Sequence, residues 1–196
     1  MHPRPTGTTA TSDLGGPRPS RPVPVPPRID RWPVAVRSAE LQRGTLVRCG
    51  PGLRLVGWPE SPRVRLHALA PWGADRRIAV MATAAWVWGA LRSPDPELDF
   101  GTGGGRAAGA RAPLTRIREF SCAPDEIIAF GEFRVTAPER TLVDMLRHTA
   151  SFAPAHRVAC RLLLLGVPGG RAALRERIAC GRRQYRATAL RRLDRL

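Results

Sequence analysis

The fourteen residues from Ile78 to Leu91 carry no charged side chain and are bounded by Arg77 and Arg92. A run of that length is too short for a transmembrane helix, which needs about 20 apolar residues, and too apolar to face water. It predicts a buried helix over Arg76 to Leu91 on which the rest of the chain must pack. The run is rich in alanine, so Trp86 and Trp88 supply the bulk, and the two indoles read as core rather than as a base-stacking platform. Gly89 would let a neighbouring element approach closely. With 43% hydrophobic residues in 196, the chain has material for one core but hardly for two full domains.

Residues 1–33 have the opposite character. They hold nine prolines, several arginines and few large apolar side chains, too little to offset the entropy of ordering, and they are expected to form a disordered tail. The Pro-Val-Pro-Val-Pro-Pro run from Pro22 to Pro27 favours polyproline II, in keeping with a linker.

After the tail, Val34 to Arg43 has helix-compatible composition and Gly44 can end it. Thr45 to Cys49 and Leu53 to Gly57 read as two short strands around Gly50-Pro51-Gly52. Helix then hairpin is the second half of a winged helix-turn-helix, so residues 34–60 are expected to be a partial winged-helix segment. Arg37, Arg43, Arg48 and Arg54 are its candidate DNA contacts. The alternative is a plain hairpin covering the edge of the core.

Residues 61–150 are expected to form a mixed α+β core. Besides the Arg76 helix it would contain a helix over Arg63 to Trp72 and strands at Glu97 to Phe100, Leu114 to Phe120, Glu126 to Phe130 and Phe133 to Val135. Gly131-Glu132 is the expected turn of the last hairpin. The stretch Gly101-Thr102-Gly103-Gly104-Gly105-Arg106 has the glycines of a phosphate loop, but no Lys-Ser or Lys-Thr and no helix follow it, so it is expected to be a flexible connection. Thr136-Ala137-Pro138-Glu139 fits a helix capping box, and in the helix it opens Arg140 and Asp144 stand four apart and can pair. Residues 151–196 are then expected to be basic helices, at about Pro154 to Leu165, Arg171 to Cys180 and Tyr185 to Leu196.

Charge concentrates in that last segment. All 32 basic residues are arginines; with 16 acids they give a net charge of +16. From Arg147 onward twelve arginines face two acids, Glu176 and Asp194, which is ten of the sixteen net charges. Such a field attracts phosphate backbones or an acidic protein and weakens with salt, although a solvated helical surface has the same composition. Arg171, Arg175, Arg182, Arg183, Arg186, Arg191 and Arg192 are the candidate partner-binding residues.

Catalytic patterns are missing. There is no His-x-x-x-His and no Gly-x-Ser-x-Gly, and the histidines stand at 2, 67, 148 and 156. His156 and Cys160 share a helix face but make too few ligands for a metal unless Cys180 folds back. Asp95, Glu97 and Asp99 alternate as magnesium-binding carboxylates of nucleases do, without the Gly-Ser loop of a nucleotidyltransferase. Cys49, Cys122, Cys160 and Cys180 are widely spaced, as in reduced cytosolic proteins, and the N-terminus lacks a signal-peptide core. The chain is therefore expected to be cytoplasmic, without cofactor or metal, and to act by binding.

Leu46-Val47-Arg48, Gly52-Leu53-Arg54-Leu55, Thr83-Ala84-Ala85-Trp86-Val87-Trp88-Gly89 and, most specifically, Val135-Thr136-Ala137-Pro138-Glu139-Arg140-Thr141-Leu142-Val143-Asp144 follow one another in an order that resembles the AbiEi family of antitoxins. The resemblance extends from about Leu41 to the end. Its family motif falls on Thr136, Pro138, Glu139, Arg140, Thr141 and Asp144. The resemblance implies a type IV toxin-antitoxin protein: a winged-helix part that represses its own operon, and a C-terminal part that counteracts a nucleotidyltransferase-like toxin without a tight complex. Three departures stand out: the proline-rich tail in place of the upstream helices, Leu53-Arg54-Leu55 where an aromatic is usual, and Ala90 before Leu91. A degenerate non-catalytic interaction scaffold is the alternative, and a metal-dependent nuclease the third reading.

Overall fold

The five-stranded sheet at the centre of the molecule is built around a strand only two residues long. The structure is a computed structural model that describes residues 24–73, 77–102, 113–119, 121–181 and 184–196. Its N-terminal elements are helix α1 (Val34–Gln42), the antiparallel hairpin β1 (Leu46–Cys49) and β2 (Gly52–Leu55), and helix α2 (Pro62–Ala68). The central strand β3 (Ile78–Ala79) then leads into α3 (Met81–Val87). Strands β4 (Leu98–Gly101), β5 (Thr115–Arg118), β6 (Ile127–Phe130) and β7 (Phe133–Thr136) complete the sheet in the order β5-β4-β3-β7-β6. β3 is parallel to β7 and antiparallel to β4; β4 and β5 are parallel, and β6 and β7 form a hairpin. Four helices follow: α4 (Pro138–His148), α5 (Pro154–Leu164), α6 (Gly170–Cys180) and α7 (Arg186–Asp194). The fold is mixed α+β, with seven α-helices among the described residues.

Strand register sorts the side chains onto two faces, because partners on neighbouring strands point the same way. Ala79, Phe100, Val135, Leu98, Phe133 and Ile128 face the main core with α2, α3 and the hairpin. Ile78, Val80, Asp99, Arg116, Arg118, Arg134 and Thr136 belong to the other, more polar face, where Ile78, Val80 and Met81 make a separate small cluster with Ile127.

The hairpin is fixed to that core by two glycines. A Cβ on Gly50, whose φ is +56°, would stand 2.5 Å from the Trp86 ring, and one on Gly52 would stand 2.0 Å from the Ala68 carbonyl oxygen. Only glycine permits those approaches. Leu46 and Cys49 are buried at 1% exposure each, so residues 34–60 are continuous with the core through their hairpin.

Five expectations are corrected. The uncharged run does not form one helix: Ile78 and Ala79 are the middle strand, Val80 is extended, and the helix begins at Met81. A short apolar run is ambiguous between the two states by periodicity alone, and β-branched Ile78 and Val80 suit the strand. Gly89 is not required by a close approach, since a Cβ there would meet Arg65 Nη1 at an ordinary 3.7 Å; at φ +83° it ends α3. The helix expected from Arg63 to Trp72 is shorter, opening at Pro62 with Ser61 Oγ accepting from Val64 N at 3.3 Å. The disordered tail expected over 1–33 does not reach residue 33. Ile29 is buried within a 3-10 turn, and Arg28 is clamped by Asp30 at 2.7 and 2.8 Å, by Glu132 and by the Phe133 ring. Residues 1–23 and the loop glycines at 103–105 lie outside the described residues.

The fifth correction is the capping box. Thr136 does not cap α4; Ala137 holds the cap position and no side chain caps it. Thr136 is instead the last residue of β7, fully buried, with its hydroxyl 2.8 Å from the Thr141 hydroxyl. Thr141 Oγ1 in turn lies 3.1 Å from the carbonyl of Thr136 and 3.0 Å from that of Ala137, which staples the strand to the first turn of the helix. Glu139 reaches Arg177 of α6 at 2.6 Å instead of returning to the cap.

Candidate nucleic-acid and partner interface

Helix α1 stands on the hairpin and buries none of its residues. Its helical hydrogen bonds are local, and its exposed side holds Val34, Ala35, Val36 and Ser38. The four arginines expected to touch DNA have different surroundings. Arg43 is 71% exposed and pairs with Glu40 at 2.7 Å; Arg48, on β1, is exposed. Arg37 turns toward a cavity of about 210 Å3 between α1, the hairpin and α2, which Arg48 also lines. Arg54 is turned inward: Nη1 donates to the carbonyls of Leu55 at 3.2 Å and Trp58 at 2.8 Å, and Glu60 lies 3.6 Å from Nε. Arg43 and Arg48 are thus the open cations of this flank, and Arg54 is a brace for the turn after β2.

The C-terminal arginines also divide. Arg192 donates to the carbonyls of Leu146 at 2.9 Å and Thr149 at 2.8 Å, closing the end of α4, and lies over the Phe152 ring at 4.7 Å. Arg171 donates to the carbonyl of Leu193, and Arg186 to that of Gly181 at 2.6 Å. These three use donors on backbone oxygens exposed at helix ends. Arg175 pairs with Asp194 but keeps 53% of its surface, and Arg191 is exposed with the Thr188 hydroxyl at 3.2 Å. Arg182 and Arg183 lie outside the described residues.

The motif residues Thr136 to Asp144 knit elements together. Arg140 donates to Asp144 at 2.9 Å through Nε, to the carbonyl of Ser121 at 3.3 Å, and to Glu126. One guanidinium therefore ties α4 to the segment before β6. Asp144 is only 3% exposed. Burial pushes its carboxyl up to about 6 although Arg140 opposes the shift.

Arg140 and Asp144 line a cleft of about 330 Å3 that sequence reasoning did not find, together with Met81, Arg118, Arg147 and Tyr185. Among the described residues, two of the three non-glycine residues with positive φ stand in it, Met81 at +50° and Tyr185 at +55°. Tyr185 meets His148 edge-on at 5.1 Å. Burial and the surrounding Arg118, Arg147 and Arg140 push the His148 imidazole below its ordinary range. Pairing spacing in the sequence foretold Arg140 and Asp144, but nothing in it marks a left-handed methionine. The cleft holds a buried carboxyl pushed up to about 6, and among the described residues no serine or cysteine lines it.

The carboxylates considered for magnesium are each engaged by a side chain of the same molecule. Asp99 is buried, with Arg118 at 2.9 Å and Arg116 at 3.8 Å; Glu97 pairs with Arg116; Asp95 lies 3.2 Å from His156 Nε2. His156 and Cys160 are both buried in α5, burial pushes the Cys160 thiol up to about 12, and Cys180 is exposed. Among the described residues no three His, Cys, Asp or Glu side chains are grouped to hold a metal ion, and no helix is long and apolar enough to cross a membrane.

No family model matches the chain, and no curated protein matches it.

Proposed function

We propose that this chain is an antitoxin-like protein or transcriptional regulator of the AbiEi type, which works by binding DNA or by counteracting a nucleotidyltransferase-like toxin, not by catalysis. The observation that carries the reading is the relation of α1 to the hairpin. A helix that buries no residue stands beside a two-stranded hairpin anchored to the core, as a recognition helix stands beside its wing. Arg43 and Arg48 are the cations placed to meet phosphates there. The paired state of Asp95, Glu97 and Asp99 favours this reading over a magnesium-dependent nuclease.

Binding of the full chain to its own upstream DNA and to a scrambled duplex, titrated across salt, tests it. Promoter-selective binding is expected, with the double variant R43A/R48A at least tenfold weaker and the slope of log K against log salt reduced by roughly 0.9 for each phosphate that the variant no longer neutralises. Equal, weak binding to both duplexes that these changes leave unmoved would overturn it. One observation favours a protein-binding scaffold as the second reading: Val34 is 69% exposed and Val36 44% on the outward side of α1, where a DNA-reading helix would carry polar groups. Co-expression with a nucleotidyltransferase-like toxin separates the two, since only an antitoxin restores growth.

A further inference from the structure

Helix α5 carries its apolar residues on two sides. His156, Ala159, Cys160 and Leu163 are buried against the rest of the molecule. Val158 and Leu162 point away from it and are 51% and 48% exposed, and Leu165, at the end of the helix, is 83% exposed. With the exposed Ala155 they stand at spacings of three, four and three residues. That is the a/d spacing by which one helix receives another, and it runs the length of α5. Scattered exposed leucines are ordinary on a protein surface; a continuous seam at heptad spacing is not.

We propose that this seam is a docking site for an amphipathic helix with acidic flanks, contributed by another protein. Two arguments fix the chemistry of the occupant. The first is charge: α5 contains Arg157 and Arg161, both exposed, and no acid at all; Arg161, whose Nε donates to the Leu196 carbonyl, borders the seam, and Arg157 lies farther round on the same side. A partner helix with Glu beside its apolar seam meets Arg161 at a position where flanking charges choose coiled-coil partners, with Arg157 adding to the same positive field. A second copy of this chain brings arginine against arginine, on a molecule of net charge +16. The second argument is area. A stable interface between two folded copies covers about 800 Å2 on each side, far more than three protruding apolar side chains offer. The site is remote in sequence from α1 and does not depend on the DNA reading.

The test uses the full chain and two fluorescein-labelled helical peptides of about three heptads, with Leu at a and d and either Glu or Lys at e and g. Fluorescence anisotropy is expected to show saturable binding of the Glu peptide at physiological salt and at least tenfold weaker binding of the Lys peptide. L162E and V158E, at exposed positions that leave the melting temperature unchanged, are expected to abolish it. R161E, at the position that borders the seam, is expected to remove the preference for the Glu peptide. Three results would overturn the proposal: no saturable binding up to about 1 mM peptide; equal binding of both peptides unaffected by R161E; or a chain that is dimeric in light scattering and becomes monomeric with L162E, which would give the seam to a second copy.

Discussion

Helices α1 and α3 are close in length and opposite in what holds them. α1, nine residues long, buries none of them; α3 buries all seven of its own. α3 owes its existence to packing, since seven residues with a left-handed Met81 at the start and no capping side chain would not persist alone in water. α1 is kept by its local hydrogen bonds, a proline before its first turn and the hairpin it leans on. The difference separates two kinds of sequence information: the α3 region specifies the fold, and the α1 region is free to specify a partner.

That separation can be broken by substitution. The largest effect is expected from Trp86→Ala in α3: the side chain is 1% exposed, Gly50 lies against its ring, and the loss should cost about 3–5 kcal/mol in denaturant unfolding. A loss below about 1 kcal/mol would mean that the hairpin does not depend on α3. Next comes Arg140→Ala, which leaves Asp144 buried without its cation and is expected to cost roughly 3 kcal/mol near pH 7. The same variant should free the segment before β6, seen as faster hydrogen exchange in residues 121–126.

A third, smaller effect follows from the protonation of Asp144. Its folded pKa, about 6, lies above that of an unfolded aspartate, the reverse of the usual carboxylate case. The folded protein therefore takes up this proton before the unfolded chain does. The penalty of the buried charge is fully present above about pH 6 and is relieved as pH falls toward 4, a gain on the order of 2 kcal/mol. Asp144→Asn should remove that component, and the difference between the two pH–stability curves measures it; parallel curves would place the titration elsewhere. The smallest effect is expected in α1, where Val36→Ser should change stability by less than about 0.5 kcal/mol. A cost above about 1.5 kcal/mol would show that α1 is covered in the folded protein after all.

Much of the core was legible in the sequence because its elements are bounded by strong local signals. The β6–β7 hairpin turns at Gly131, and helices α5 to α7 start and stop within a residue or two of their expected ends, those of α5 and α6 being marked by proline and glycine. The central strand was not legible. Two residues of β3 are too few to show a period, and the apolar helix after it absorbs them into one run. Thr136 and Glu139 have the spacing of a capping box, yet their partners are Thr141 and Arg177, and only the register of β7 decides that. The tail boundary failed for a similar reason: Arg28 and Ile29 are ordered by contacts such as Glu132, 104 residues away. For the interface, the sequence supplied the arginines but not their direction. Arg54, Arg171 and Arg192 spend donors on carbonyls of their own chain, while Arg43, Arg48 and Arg191 face water.

The seating of Gly50 against an indole and of Gly52 against a carbonyl also has a thermodynamic meaning. A wing that hung loose would have to be ordered whenever a ligand arrived, and part of the binding energy would go into that ordering. Here the hairpin is already immobilised by the same tryptophan that anchors the centre of the molecule. A ligand gripping α1 and the hairpin therefore meets a finished surface, and its binding free energy adds to the melting stability of the whole fold rather than of one flap.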